Sequence, residues 1–327
     1  MSNTVASAPG KVVLCGEYAV LFGAPAVAMA IDRRAQVRVT EYDGDWHRVV
    51  APGYSAAEGR FLADGAAIDW LQGESDYALV DAAWWTVGST AAIPVDRHLS
   101  IELDTRAFID KQSGNKVGIG SSAALTVALV AALLKSSDVL PQALQAHAVL
   151  QHGAGSGVDI ATSASSGLVL YRMANADVTR LCWPDGLACR LLWTGVPVST
   201  QTKLERLRKK ASGTSVNGLV DAAETMSGAW QSAATVLSQY PDYIEALRRF
   251  SVDHDLGVFD AGHDRLVNAA AAAGLVYKPC GAGGGDVGIL LGAGEEQLDA
   301  FLDAGIASGC RVLDCAIDHG GIVLEAC

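Results

Sequence analysis

The chain has 327 residues, half of them hydrophobic and 18% charged, with a net charge of -12. That supplies apolar material for a large core and roughly two domains, and it excludes a disordered chain. The acidic balance argues against a broad nucleic-acid surface, so a polyanionic ligand must be met by local positive features.

The seven cysteines, at 15, 182, 189, 280, 310, 315 and 327, form no CxxC pair and no metal-ligand spacing. They read as reduced structural thiols of a cytoplasmic protein. The start of the chain lacks a basic stretch followed by an apolar run, so no signal peptide is expected. Residues 1–40 alternate short apolar runs with turn signals, and the period of two around Val37 and Val39 reads as strand. From 43 to 97 the pattern loosens, with turns at Gly44, Pro52-Gly53 and Gly73 and a helix expected over 77–87. Trp70, Trp84 and Trp85 read as packing residues, with purine stacking as the minority use. Residues 100–103 read as a strand.

Residues 116–124, Lys-Val-Gly-Ile-Gly-Ser-Ser-Ala-Ala, run straight into the strong helix formers of 125–135. Two glycines let backbone approach an anion closely, and the helix aims free N–H groups and the positive end of its dipole at the turn. It reads as a phosphate cradle, with Lys116, Gly118, Gly120, Ser121, Ser122 and Ala123 as nucleotide-binding candidates. The bland alternative is a capped core helix. No Gly-Lys-Ser/Thr closes the turn as in a Walker A loop, so backbone would hold the phosphates, and the Ser121 and Ser122 hydroxyls are offered to phosphate or Mg²⁺. The uncharged run 117–134 has the length of a membrane span, but its Gly-x-Gly-Ser-Ser start leaves about three helical turns, which suits a buried helix.

Beyond it, 141–152 reads as helix, 153–161 as a glycine-rich turn ending in Val-Asp-Ile-Ala, and 167–172 as strand. Turn signals over 175–186 place a domain boundary that divides the chain into 1–180 and 181–327. The second half reads as α+β: strands at 190–193, 287–291, 311–316 and 321–324, helices at 203–210, 215–237, 244–252, 256–273 and 295–304. His147, His152, His254 and His263 share no metal-ligand spacing and receive no role.

Three glycine-rich cassettes stand in order: Ala-Pro-Gly-Lys-Val-Val-Leu-Cys-Gly-Glu-Tyr at 8–18, the cradle, and Lys-Pro-Cys-Gly-Ala-Gly-Gly-Gly-Asp-Val-Gly at 278–288. Each alone is a weak signal. Together they resemble the GHMP kinase superfamily, which phosphorylates small-molecule alcohols with ATP, and the resemblance runs along nearly the whole chain. It implies a two-domain α+β fold, an N-terminal domain like the second domain of ribosomal protein S5 and a ferredoxin-like C-terminal domain, with the active site between them. It also implies that the second cassette wraps the ATP phosphates, that Ser122 ligands Mg²⁺, and that the third, with Gly283 and Gly284, supports the phosphate loop and lines the cleft.

Phosphoryl transfer to a hydroxyl needs a group that orients or accepts its proton and a cation nearby. Asp159, presented on Gly155-Ser156-Gly157, is the catalytic candidate, although by residue type alone the first reading is a helix N-cap or first-turn aspartate. Gly-Ser-Gly-Val-Asp-Ile-Ala resembles the segment that carries the catalytic aspartate in mevalonate-type kinases. Lys11 is its partner, and Glu17 is expected to fix its own turn by hydrogen bonds. Mevalonate kinases carry a second Mg²⁺-binding glutamate about three helical turns before the aspartate. Here the matching place is Ala148, and no acidic residue occurs between Asp138 and Asp159.

The acceptor signal lies in Thr194-Gly195-Val196-Pro197-Val198-Ser199-Thr200 and the basic residues that follow, Lys203, Arg206, Arg208, Lys209 and Lys210. The segment resembles that of bacterial phosphomevalonate kinases and makes Ser199, Thr200 and Lys203 candidates for a substrate phosphate. Arg208, Lys209 and Lys210 read as a solvated face. The expectation is therefore an ATP- and Mg²⁺-dependent kinase of a small phosphate-bearing or alcohol substrate, with no nucleic-acid or membrane partner. The first expectation is phosphomevalonate as acceptor. Mevalonate or another small alcohol comes next, and a non-catalytic metabolite-binding homologue last.

Overall fold

The computed structural model describes residues 3–90, 93, 97–153, 155–208 and 213–326. Strands β1 (Asn3–Cys15) and β2 (Ala26–Tyr42) pair antiparallel along almost their whole length, from Asn3 opposite Thr40 to Cys15 opposite Val27. The sequence suggested short strands broken by turns. Pro9-Gly10 is instead absorbed as a register shift within one long strand, and a Cβ on Gly10 would lie 2.6 Å from the Ile119 carbonyl oxygen.

A meander of β3 (His47–Ala51), β4 (Ser55–Asp64) and β5 (Ala67–Gln72) extends this sheet where the sequence offered only turns. β4 buries only two of its ten residues and β5 none, which blurs the alternation that marks a strand. Helix α1 (Ala78–Thr90) packs Trp84 among His47 and Phe61, and Trp70 stacks between Phe61 and Tyr77. Trp85 departs from its expected packing role and is 44% exposed, because consecutive helical residues point about 100° apart. Strand β6 (His98–Asp104) joins β2 to the meander.

Helix α2 (Ser121–Leu134) lies on β1 and β2 and is buried from Ala123 to Leu133. Helices α3 (Leu140–Leu150) and α4 (Val158–Ser165) pack beside it. Strand β7 (Leu168–Arg172) pairs with β2, and β8 (Asp177–Leu181) pairs with β7 inside the stretch that read as turns.

The second sheet follows: β9 (Ala188–Trp193), helices α5 (Thr200–Arg208), α6 (Thr214–Gly228), α7 (Ala233–Asp253) and α8 (His263–Ala272), then β10 (Val276–Pro279), β11 (Val287–Gly292), α9 (Glu295–Asp303) and β12 (Arg311–Leu313). Its order is β10-β11-β9-β12, antiparallel throughout. The expected helix over 215–237 is two, broken where Trp230 is buried and Ser232 caps α7 by accepting from the Thr235 amide at 3.2 Å. The expected helix over 256–273 is reduced to α8. The last strand, β13 (Val323–Ala326), returns to the first sheet and pairs with β1. Among the described residues no helix is long and apolar enough to cross a membrane.

Candidate active site

The cradle forms as a left-handed turn on a helix. Gly118 and Gly120 sit at φ 81° and 85°, Gly120 is the N-cap of α2, and no side chain caps that helix. The first-turn amides of α2 are thus left to an incoming acceptor, with the helix dipole behind them. The first cassette is tied to this turn through the Lys11 amide, which donates to the Ile119 carbonyl at 2.9 Å. A Cβ on Gly120 would lie 2.9 Å from Lys11 Cε and Cγ, so the glycine gives the lysine its path past the loop.

Lys11 Nζ ends 3.0 Å from Asp159 Oδ1, in the first turn of α4, whose N-cap is Gly157 at φ 83°. The pair faces a cleft of about 100 Å³ whose walls include His147, Gly155, Ser156, Leu204 and Ala282. Ser156 accepts from the Val158 amide at 3.3 Å, and its carbonyl accepts from the Tyr171 hydroxyl at 3.0 Å, which fixes the 155–157 turn. His147 is buried beside the pair, and burial holds its imidazole low; Asp159 opposes that shift and Lys11 adds to it.

The third cassette closes the cleft. Tyr18, itself at φ 59°, donates its hydroxyl to the Ala282 carbonyl at 2.7 Å. Lys203 Nζ donates to the carbonyls of Gly283 at 2.7 Å, Ala282 at 3.2 Å and Gly257 at 3.4 Å. Burial lowers its pKa. His263 supports the loop from beneath, with Nε2 3.0 Å from the Gly285 carbonyl and Nδ1 2.9 Å from the Tyr277 hydroxyl. Asp286 ends it, pushed up to about 6 by burial against the pull of the Val198 amide, Lys11 and Lys203.

Below the cleft a buried network joins the first cassette to the third. Glu17 pairs with Lys278, and the Tyr243 hydroxyl donates to Glu17 Oε2 at 2.5 Å while accepting from the Gly16 amide at 2.8 Å. Lys278 also donates to the Pro279 carbonyl at 2.7 Å. Burial opposes the Lys278 ammonium, and Cys280 and Glu17 outweigh it, so its pKa is raised.

No family model matches the chain. It is 31% identical over 345 residues to a phosphomevalonate kinase of Streptomyces sp. (strain CL190), covering 90% of this chain and 91% of that protein. The chain belongs to the GHMP kinase family. It is 28% identical to a Bos taurus mevalonate kinase over 87% of this kinase and 85% of the relative. Its fold matches that of a Streptococcus pneumoniae phosphomevalonate kinase solved with phosphomevalonate and AMPPNP, with a TM-score of 0.78, 20% identity, and 96% and 99% of the two chains covered. The kinase is accordingly an ATP-dependent phosphotransferase.

Of the residues singled out from sequence, Lys11, Gly155, Ser156, Gly157 and Asp159 meet at the cleft of the kinase. Lys203, Gly283 and Gly284 form a second group that joins it through Ala282. Ser121, Ser122 and Ala123 open α2, with Ser122 exposed. Two others lie apart. Lys116 is exposed, its ammonium 5.0 Å from the centre of the Tyr54 ring, and exposed Ser199 accepts from the Thr202 amide and hydroxyl at the start of α5. The side chains of Thr200 and Arg208, with Lys209 and Lys210, lie outside the described residues. Four residues escaped sequence reasoning: His147, Tyr243, Lys278 and Asp286. Lys278 and Asp286 flank the third glycine run, where the glycines drew the eye, and the other two lie in helices with no local signal.

Proposed function

We propose that this kinase transfers the γ-phosphoryl group of ATP to the phosphate of phosphomevalonate, forming diphosphomevalonate and ADP. The observation that carries the chemistry is the Lys11–Asp159 pair at 3.0 Å, facing a cleft between the 155–159 turn and the third glycine loop. The 31% identity to the Streptomyces enzyme supports the acceptor.

The amides at the start of α2, with Ser121, Ser122 and Ala123, hold the nucleotide phosphates, and Gly118 and Gly120 let the backbone come close. A phosphate oxygen of the acceptor attacks the γ-phosphorus in line, the bond to the β-phosphate oxygen breaks, and ADP leaves with that electron pair. The acceptor is already largely ionised near neutral pH, so Asp159 orients it through Lys11 and removes no proton. Lys203 is posted at the loop edge; exchanging one of its three carbonyl partners for a substrate phosphate oxygen keeps its hydrogen bonds satisfied. Ser199 and Thr200 remain candidate acceptor ligands on the sequence resemblance alone.

The donors suit Mg²⁺, which favours oxygen ligands and keeps much of its water: the exposed Ser122 hydroxyl stands at the loop. Among the described residues no group of three or more His, Cys, Asp or Glu is placed to hold a metal. When bound, Mg²⁺ neutralises charge on the transferring phosphates.

The presence of two separate sheets supports the division into 1–180 and 181–327, although it leaves Leu181 of β8 and all of β13, both in the first sheet, on the second side. With the four helices between β9 and β10 standing as one helical crossover, the β-α-β-β-α-β order from β9 to β12 supports a ferredoxin-like second domain. The six cysteines among the described residues are free, which supports a reducing, cytoplasmic setting.

ADP release measured with phosphomevalonate, mevalonate and sugar alcohols tests the reading. Turnover is expected with phosphomevalonate. A strong preference for unphosphorylated mevalonate sinks the acceptor assignment, and no turnover with any acceptor sinks the enzyme.

A further inference from the structure

Asp286 stands where the third glycine loop meets the phosphate cradle, and the fold fixes it there. Its backbone is left-handed, φ 51°; its amide donates to the Val196 carbonyl at 2.7 Å, and its carbonyl accepts from the Thr194 amide at 2.9 Å and hydroxyl at 3.1 Å. Held this way, the carboxyl group lies against Gly118, where any Cβ would overlap Asp286 Cγ. No ion pair to Asp286 occurs among the described residues: Lys11 and Lys203 act on it from a distance while Lys11 pairs with Asp159 and Lys203 donates to three carbonyls.

A carboxylate fixed against an anion-binding loop repels the phosphates that the loop receives, at a separation where screening is weak. We propose that Asp286 makes the phosphate loop selective for cation-bound nucleotide, by repelling free polyphosphate and tolerating it once a divalent cation has offset its charge. This rests on the reading of 118–122 as the phosphate loop.

The test is binding of N-methylanthraniloyl-ATP to the intact kinase by fluorescence anisotropy, with Mg²⁺ in excess and with EDTA. The native chain is expected to bind the Mg²⁺ form on the order of tenfold or more tightly than the metal-free form. Asp286→Asn is expected to narrow that ratio by strengthening metal-free binding, and Asp286→Gly, which also accepts a left-handed backbone, repeats the test should the first variant fold poorly. An unchanged ratio overturns the proposal and leaves the phosphate loop standing. A ratio narrowed only by weaker binding of the Mg²⁺ form makes Asp286 a ligand of the cation and likewise overturns it. No nucleotide binding to any of the proteins overturns the loop reading together with the proposal.

Discussion

Lys11 is placed by three elements at once: its own strand, the Ile119 carbonyl that takes its amide, and Gly120, which leaves its stem a channel to Asp159. Both partners of the pair point at the cleft, so they are expected to matter more for turnover than for stability. Asp159→Asn and Lys11→Met are each expected to lower kcat roughly 100-fold or more, through lost positioning and charge stabilisation, while the melting temperature stays near that of the native chain. Near-native turnover in Asp159→Asn removes that residue from the mechanism. Gly120→Ala acts differently. It places a methyl group in the path of Lys11 on a backbone at φ 85°, and it is expected to cost about 1–2 kcal/mol in urea unfolding and to raise KM for ATP.

The elements that matter most to the site meet through Glu17, Lys278 and Tyr243, which pin the turn after β1 to β10 and α7. Lys278 and Glu17 are almost wholly buried, at 0% and 1% side-chain exposure, so removing one strands the other in an apolar setting. Lys278→Met is expected to destabilise by about 3–5 kcal/mol, and pairing it with Glu17→Gln is expected to recover a large part of that, since the uncompensated charge goes. Urea unfolding of the single and double variants checks this; additive losses rule the coupling out. Sequence reasoning gave Glu17 hydrogen bonds within its own turn; its carboxylate instead meets Tyr243, which also holds the Gly16 amide, and Lys278, 261 positions away. A lysine so far along the chain leaves no periodic or local mark on the glutamate it serves.

At the scale of the molecule, burial lowers the pKa of His47, His147 and His263, and this contributes to the acid side of stability. His47 lies 4.8 Å from Phe61 and 5.1 Å from His98, ring centre to ring centre, and accepts from the Leu99 amide at 3.1 Å. Burial, then His98, lowers it to about 4, and burial also lowers His147 and His263. The unfolded chain takes up the His47 proton near pH 6.5, and the folded chain refuses it until about pH 4. Stability therefore falls as pH drops through that window, by roughly 3 kcal/mol from His47 alone. Asp286, pushed up to about 6, works the other way between its unfolded value and 6, because the folded chain holds that proton more tightly. Urea midpoints between pH 7.5 and pH 4.5 are expected to fall, and to fall less steeply in His47→Gln. Equal slopes in the two proteins exclude His47 as a source of acid sensitivity.

The sequence by itself determined the features that depend on neighbours along the chain. Two glycines before a run of helix formers can only make a tight turn on a helix N-terminus, and Gly-Ser-Gly before Val158 and Asp159 sets that carboxylate in the first turn of α4. The three cassettes and the sheet–helix alternation of the second half were legible for the same reason. Tertiary structure decided what pairs across distance. It made strands of 47–72 and 177–181, whose short or exposed faces carry little alternation, and it returned 323–326 to the first sheet. It moved Ser199 to a helix start and Lys116 onto Tyr54, and it brought His147, Tyr243, Lys278 and Asp286 to the site. The physical reason is common to all of these. Backbone preference and local hydrogen bonds are written within a few residues, whereas a buried charge or a cleft wall is defined by whichever distant segment the packing of the core brings against it.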